Sequence, residues 1–256
     1  MRPNRLIELW RSNQTIINGW LNIPNALTAE ILAHEEFDSL LVDMQHGLIG
    51  FETAVTMLQA ISTTNTIPLI RVPWNDPGLL MRALDAGAYG VICPMINTRA
   101  QAEAFVSACR YPPLGTRSYG PARALLYGGE DYVQYANDTV LTIALIETSE
   151  AIANLEEIAS VSGLSGLYVG PSDLSLSLGV AKRADFEDPR MITAVDRVLE
   201  TAAKYNLMTG VHAGNVENAI KLAERGFNLV TPFTDMAVLQ IKTRELVAQM
   251  RGGVKR

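Results

Sequence analysis

Six polar residues stand where short apolar runs of the sequence end: Asp43, His46, Arg71, Glu147, Asp173 and His212. Glu147 and Asp173 are carboxylates with no cysteine and no His-x-x-x-His pattern nearby. Two carboxylates completed by water form the usual hard-oxygen site for Mg²⁺, with Mn²⁺, Co²⁺ or a similar divalent ion as substitute. The competing reading makes Asp173, in Gly170-Pro171-Ser172-Asp173-Leu174, a helix N-cap and Glu147 an ordinary strand-end acid. The two roles are compatible, because a turn that opens at Asp173 also presents backbone N–H groups to an anion. A substrate carboxylate that chelates the metal fits there.

His46, in Asp43-Met44-Gln45-His46-Gly47, is the best general base among the three histidines. A neighbouring carboxylate would fix its tautomer and raise its basicity, and Asp85 and Asp43 are the candidates. His34 lies inside a helical pattern, and His212 is either a pocket wall or a satisfied polar residue. Arg71, in Ile70-Arg71-Val72-Pro73, sets a permanent cation in a buried strand, which is costly unless paired. It is either a salt bridge to a strand-end acid or a clamp on a developing oxyanion or substrate carbonyl. Thr231 and Asp235 close the last run. The five lysines, Lys182, Lys204, Lys221, Lys242 and Lys255, fall in loops, helices or the tail. No strand therefore offers a Schiff-base lysine. Gly-x-Ser-x-Gly and Gly-x-Gly-x-x-Gly are absent, so neither a serine nucleophile elbow nor a nucleotide cofactor is expected.

Eight apolar runs would carry these residues: Ile16–Leu21, Ser39–Met44, Ile67–Val72, Gly90–Met95, Leu141–Ile146, Gly166–Val169, Met208–Val211 and Asn228–Pro232. Most are nearly continuous, as in parallel strands covered on both faces. Helical patterns alternate with them at Ala26–Glu36, Phe51–Thr63, Pro77–Ala86, Arg99–Arg110, Glu150–Ser160, Pro189–Tyr205, Val216–Arg225 and Met236–Met250. Asp76-Pro77 and Asp188-Pro189 place an N-cap before a proline at the first helical position. Ala86-Gly87, Ser162-Gly163 and Arg225-Gly226 supply stops. Eight strand–helix units predict an α/β fold, a (β/α)₈ TIM barrel, with its site at the carboxyl ends of the strands. The segment Tyr111–Tyr135 is too long for a plain connection, and Arg117, Tyr119 and Arg123 favour a functional loop.

The chain has 256 residues, 48% hydrophobic and 19% charged, which suits one undivided barrel over 1–256. Its 21 Lys+Arg against 27 Asp+Glu give a net charge of −6, which argues against nucleic acid and anionic membrane as partners. No run approaches the ~18 apolar residues of a membrane span, and no signal peptide is seen at the N-terminus. Two isolated cysteines, Cys93 and Cys109, point to a reducing, cytoplasmic setting.

The ordered blocks LLVDMQHG, PLIRVPWNDP, LLMRALDAGAYGVICPM, ACRYPPLGTRSYGPAR, LIETSEAIANL and LYVGPSDLS resemble the HpcH/HpaI aldolases, metal-dependent class II pyruvate aldolases. The resemblance covers nearly the whole chain and is weakest after Arg183. It implies Glu147 and Asp173 as metal ligands, His46 as the base acting through a water, and Asp85 as its orienting partner. It implies Arg71 as the group that polarises the keto oxygen, backbone around Ser172 and Asp173 as the pyruvate carboxylate site, and Trp20 as a pocket wall. It also implies exchange of the last helix between subunits and a homohexamer built as a trimer of dimers. Members often carry Gln two residues before the metal Glu, where this chain has Leu145, and Glu before the catalytic His, where it has Gln45.

The expected reaction is reversible retro-aldol cleavage of a 4-hydroxy-2-oxo acid to pyruvate and an aldehyde through an enolate. Oxaloacetate decarboxylation is the expected side activity. An acyl-CoA lyase of the citrate lyase β-subunit type and a non-catalytic binding or assembly barrel are the rivals. Side chains in Tyr111–Tyr135 and near Leu145, together with residues from a neighbouring subunit, are expected to select the aldehyde.

Overall fold

The computed structural model describes residues 1–253; Lys255 and the rest of 254–256 lie outside the described residues. All eight apolar runs form strands: β1 (Ile16–Leu21), β2 (Ser39–Asp43), β3 (Ile67–Arg71), β4 (Gly90–Cys93), β5 (Leu141–Ile146), β6 (Gly166–Val169), β7 (Met208–His212) and β8 (Leu229–Thr231). They pair in parallel, in sequence order, and β8 returns to β1, so the sheet closes into a barrel. Leu40, Leu41, Val42, Ile70, Ile146 and Val169 have no exposed surface, which accounts for the continuous apolar runs.

The helices are α1 (Arg5–Arg11), α2 (Ala26–Ala33), α3 (Phe51–Ile61), α4 (Pro77–Asp85), α5 (Arg99–Cys109), α6 (Ala122–Gly128), α7 (Tyr132–Thr139), α8 (Ser149–Ala153), α9 (Leu155–Ala159), α10 (Pro171–Ser177), α11 (Pro189–Tyr205), α12 (Val216–Glu224) and α13 (Asp235–Gly253). Asp76 and Asp188 accept from Leu79 N–H and Arg190 N–H, as the Asp-Pro pairs predict. The helix expected over Glu150–Ser160 breaks at Asn154, which sits outside helical geometry while its side-chain amide donates to the Asn97 carbonyl (2.8 Å). The short α1 and α10 and the pair α6 and α7 lie outside the eight helical patterns. Asn4, which caps α1, also donates to the Tyr89 carbonyl ahead of β4 and the Thr139 carbonyl ahead of β5. That anchors α1 across the amino-terminal end of the barrel.

Residues two apart on a strand face the same way, and the barrel interior shows it. Ser39 Oγ donates to Asn18 Oδ1, Asn18 Nδ2 donates to Thr231 Oγ1, and the Tyr168 hydroxyl donates to the same oxygen, at 2.7–2.8 Å. This buried polar layer joins β1, β2, β6 and β8. Trp20 and Leu41 come next toward the carboxyl ends, and one step beyond them Asp43 pairs in register with Arg71.

The segment Tyr111–Tyr135 lies elsewhere than expected. It follows α5, which runs back from the carboxyl rim, and precedes β5, so it builds the amino-terminal rim with α6 and α7. Arg123 donates there to the carbonyls of Ala86 and Leu58 and to Ser62. Arg117 is buried among Asp85, Tyr132 and Tyr111. Within one chain these side chains are structural and do not line the pocket at the other end.

Candidate active site

A pocket of about 690 Å³ opens at the carboxyl ends of the strands. Trp20, His46, Arg71, Glu147, Ser172 and Asp173 all line it, with Asp43 and His212. Thr231 and Asp235 do not. Thr231 belongs to the polar layer below, and Asp235 is buried, accepting from the N–H groups of Asn22, Ile23 and Met236. Thr234 and Met236 line the pocket in their place.

Arg71 and Asp43 are cross-strand partners on the inward face. Arg71 donates from Nε and Nη2 to the two Asp43 oxygens at 2.8 and 2.7 Å, a fork-to-fork pair. Asp43 also accepts from Trp20 Nε1 (3.1 Å), from Asn22 Nδ2 (2.8 Å) and from the N–H groups of Gln45 and His46. Burial alone would raise its carboxyl; the Arg71 guanidinium outweighs that and holds it below the ordinary carboxylate value. The guanidinium lies 4.7 Å over the Trp20 ring, and its Nη1 makes no hydrogen bond among the described residues. The salt-bridge reading of Arg71 holds, and the pairing leaves one edge of this pocket-lining guanidinium without a partner among the described residues.

His212 packs edge-on against Trp20 at 5.2 Å between ring centres. Burial pushes its imidazole down to about 4, with the Arg71 and Arg183 charges adding and Asp43 opposing. It is a neutral wall at pH 7.

Glu147 is 2% exposed and accepts from Met95 N–H at 2.9 Å. Burial pushes its carboxyl up to about 7, with the Asp173 charge adding to the shift. Gly170 makes room for it: a Cβ at that position would stand 2.7 Å from Glu147 Oε2 and 3.0 Å from its Cβ. A buried carboxylate facing a second one, with no ion pair of its own among the described residues, suits a divalent cation. No group of three or more His, Cys, Asp or Glu gathers among the described residues. Two carboxylates with positions left for water and substrate oxygens match Mg²⁺-type coordination rather than a closed zinc site.

His46 is exposed at the pocket edge, and its ring makes no hydrogen bond among the described residues. Asp85 does not reach it. It ends α4, which runs nine residues back from the carboxyl rim, roughly 13 Å. Its carboxylate is taken by Arg117 at 2.7 Å, and burial raises it against that charge. Helices that return antiparallel to the strands put Asp85 and His46 at opposite ends of one barrel. Asp43, the other candidate, touches His46 through the backbone only.

Leu145 is buried in the pocket wall next to Tyr168, its register partner. Gln45 keeps a buried Oε1 without a partner. The sequence reading missed Asn22, Tyr168 and Arg183 as pocket residues. Asn22 and Tyr168 follow the two-residue alternation from Trp20 and to Gly170, a signal that was available. Arg183 belongs to no strand and had none.

The chain matches the family described as HpcH/HpaI aldolase/citrate lyase over residues 17–239. It is 42% identical over 249 residues to a hydroxypyruvate/pyruvate aldolase of Rhizorhabdus wittichii, covering 97% of this chain and 99% of that one. It is 41% identical over 236 residues to a 2-dehydro-3,6-dideoxy-6-sulfogluconate aldolase of Pseudomonas putida, covering 91% of each. Among solved structures, a HpcH/HpaI aldolase/citrate lyase family protein from Burkholderia cenocepacia superposes with a TM-score of 0.90 at 33% identity. That match covers 97% of this chain and 99% of the other.

Proposed function

Because the chain belongs to the HpcH/HpaI aldolase/citrate lyase family, we propose that it is a carbon–carbon lyase. It would cleave a 4-hydroxy-2-oxo acid reversibly to pyruvate and an aldehyde. The observation that carries this is one pocket holding the Glu147–Asp173 carboxylate pair, the Asp43-locked Arg71 and an unengaged His46. Relatives matched along nearly their whole length are aldolases by name, which favours this over a CoA lyase or a non-catalytic barrel.

A divalent cation held by Glu147 and Asp173, Mg²⁺, Mn²⁺ or Co²⁺, would supply Lewis-acid polarisation of a 2-oxo acid's oxygens. The chain does the rest. The N–H groups of Ser172 and Asp173, in the first turn of α10, have no intrahelical acceptor and receive the substrate carboxylate. Arg71 directs its free edge at the 2-keto oxygen, where negative charge develops. His46, reaching through a water, takes the 4-hydroxyl proton; the C3–C4 bond breaks, its electron pair enters the enolate, and the aldehyde leaves. Protonation at C3 gives pyruvate. Trp20 holds Arg71 in place and closes the wall, so the guanidinium acts in a water-poor setting. The same enolate makes oxaloacetate decarboxylation a side reaction.

No described helix is long and apolar enough to cross a membrane. Both cysteines are free and buried, which supports the cytoplasm as the working compartment. That α13 buries only Asp235 supports exchange of the last helix between copies in a homohexamer.

Exchange of the pyruvate C3 protons in D₂O, followed by NMR, tests the reading without any aldehyde. Chelator-treated protein should be inactive, and added Mg²⁺, Mn²⁺ or Co²⁺ should restore exchange. Full exchange with chelator present would overturn the role given to Glu147 and Asp173.

A further inference from the structure

Beyond α10 the chain does something the barrel does not require. Gly179 turns it with a left-handed φ of 68°, a conformation that suits glycine, and the chain doubles back over the pocket. The return is fastened at three places. Val180 N–H donates to the Ser175 carbonyl (2.8 Å), and Ala184 N–H donates to Ser175 Oγ (2.9 Å). Arg190 donates to the Gly179 carbonyl (2.7 Å). Ser175 is itself buried and donates to the Pro171 carbonyl (2.6 Å). The loop is thereby tied to the helix that carries Asp173, and Val180, Ala181 and Arg183 become pocket wall.

Charge pairing within the loop singles out one residue. Lys182 faces Asp185 at 3.6 Å and Arg190 faces Asp188 at 2.8 Å. Arg183 has no ion pair and no side-chain hydrogen bond among the described residues, yet it lines the pocket and is exposed there. Its charge also helps to hold His212, inside that pocket, below the ordinary imidazole value after burial has done most of the work. Leu145, Leu176, Val180 and Met236 form apolar wall in the same pocket. The pocket therefore carries charge at two places: the Glu147, Asp173 and Arg71 group that takes the oxo-acid head, and Arg183.

We propose that Arg183 recognises an anionic group, a carboxylate or phosphate, at the far end of the aldehyde half of the substrate. The assignment rests on the aldolase reading and names its substrate class: aldehydes that bear a negative charge away from the reacting carbonyl. A guanidinium left unpaired at a pocket mouth suits such oxygens, which it can bind in bidentate fashion.

The test compares matched aldehydes as acceptors for pyruvate with the metal-loaded protein. Succinic semialdehyde against butanal probes a carboxylate, and glyceraldehyde 3-phosphate against glyceraldehyde probes a phosphate. At least one anionic member should be preferred in kcat/KM by about tenfold or more, mainly through KM. Which pair shows the larger ratio identifies the anion. The preference should shrink as salt rises. Arg183→Gln should erase the ratio, Arg183→Lys should keep part of it, and Arg183→Glu should invert it. An unmutated protein with no anionic preference, or an Arg183→Gln variant that keeps the full ratio, would overturn the assignment. Pyruvate C3 proton exchange in the unmutated protein separates the two failures. Exchange without anionic preference removes Arg183 alone, whereas absent exchange removes the aldolase reading and this proposal with it.

Discussion

At the residue scale, the pocket holds its charges by opposing devices, and the opposition is measurable. Asp43 accepts six hydrogen bonds from five residues and so fixes Arg71, which keeps one edge free. Glu147 and His212 instead carry burial that their partners do not offset. In the folded protein Glu147 keeps its proton up to about 7, whereas the unfolded chain releases it near 4.5. Its contribution to stability therefore falls as pH rises through that window. His212 refuses a proton until about 4, whereas the unfolded chain accepts one near 6.5, so its contribution rises with pH from about 4 to 6.5. The two slopes oppose each other in the metal-free protein. In Glu147→Gln, Tm relative to the parent should climb as pH rises from 4.5 to 6.5, and in His212→Gln the same difference should fall. Calorimetry in chelator, with pH as the variable, reads both. Differences that stay flat in both variants would mean that neither group titrates as its burial dictates.

At the element scale, the turn from β6 into α10 sets the carboxylate geometry. Gly170 lies between Glu147 and Leu145, and a methyl group there would collide with the glutamate. Gly170→Ala should weaken Mn²⁺ binding by about tenfold or more, since displaced ligand geometry is costly to metal affinity, while far-UV circular dichroism stays that of the parent. Titration calorimetry or Mn²⁺ paramagnetic resonance gives the affinity. Unchanged affinity would show that Glu147 is not held by that contact. The elements themselves were legible because their causes are local. Continuous apolar runs marked every strand to within two residues, and the Asp-Pro pairs marked two helix starts. The site was legible where it followed from strand ends: Asp43, His46, Arg71, Glu147, Asp173 and His212 all reach one pocket, whereas Trp20 and Ser172, which also line it, were marked only by the family resemblance. Asp85 does not reach His46 within one chain, because spacing along the sequence does not say at which end of the barrel a helix terminus lies. The depth of Asp43's role came from strand register with Arg71, a long-range relation invisible in local pattern. Arg183 came from a loop whose return depends on hydrogen bonds to Ser175.

At the scale of the whole molecule, one helix does not complete its barrel. In a closed eight-fold barrel the helix after the last strand covers the seam between the last and first strands. Here α13 buries only Asp235, and Val238, Leu239, Ile241, Leu246 and Met250 stand exposed along it. The seam is correspondingly bare. Ile17, on β1, is 47% exposed, and Leu27 and Ile31 of α2 and Val216 and Ile220 of α12 are exposed on the flanking helices. An apolar helix without a bed and an apolar bed without a helix, in one chain, match when two copies exchange them. Full burial of each such side chain contributes roughly 1.5–3 kcal/mol, so several together outweigh the entropy lost on association. This is the physical ground for the helix-exchanged pair within the homohexamer proposed above. In the full-length chain, the double substitution Leu239→Glu and Ile241→Glu places two carboxylates on that face without shortening it. Light scattering should then fall from about six times the 27.9 kDa chain mass toward a single chain. Tm should drop with it, while circular dichroism keeps the barrel signature. An assembly of unchanged mass would mean that α13 is not the element the copies exchange.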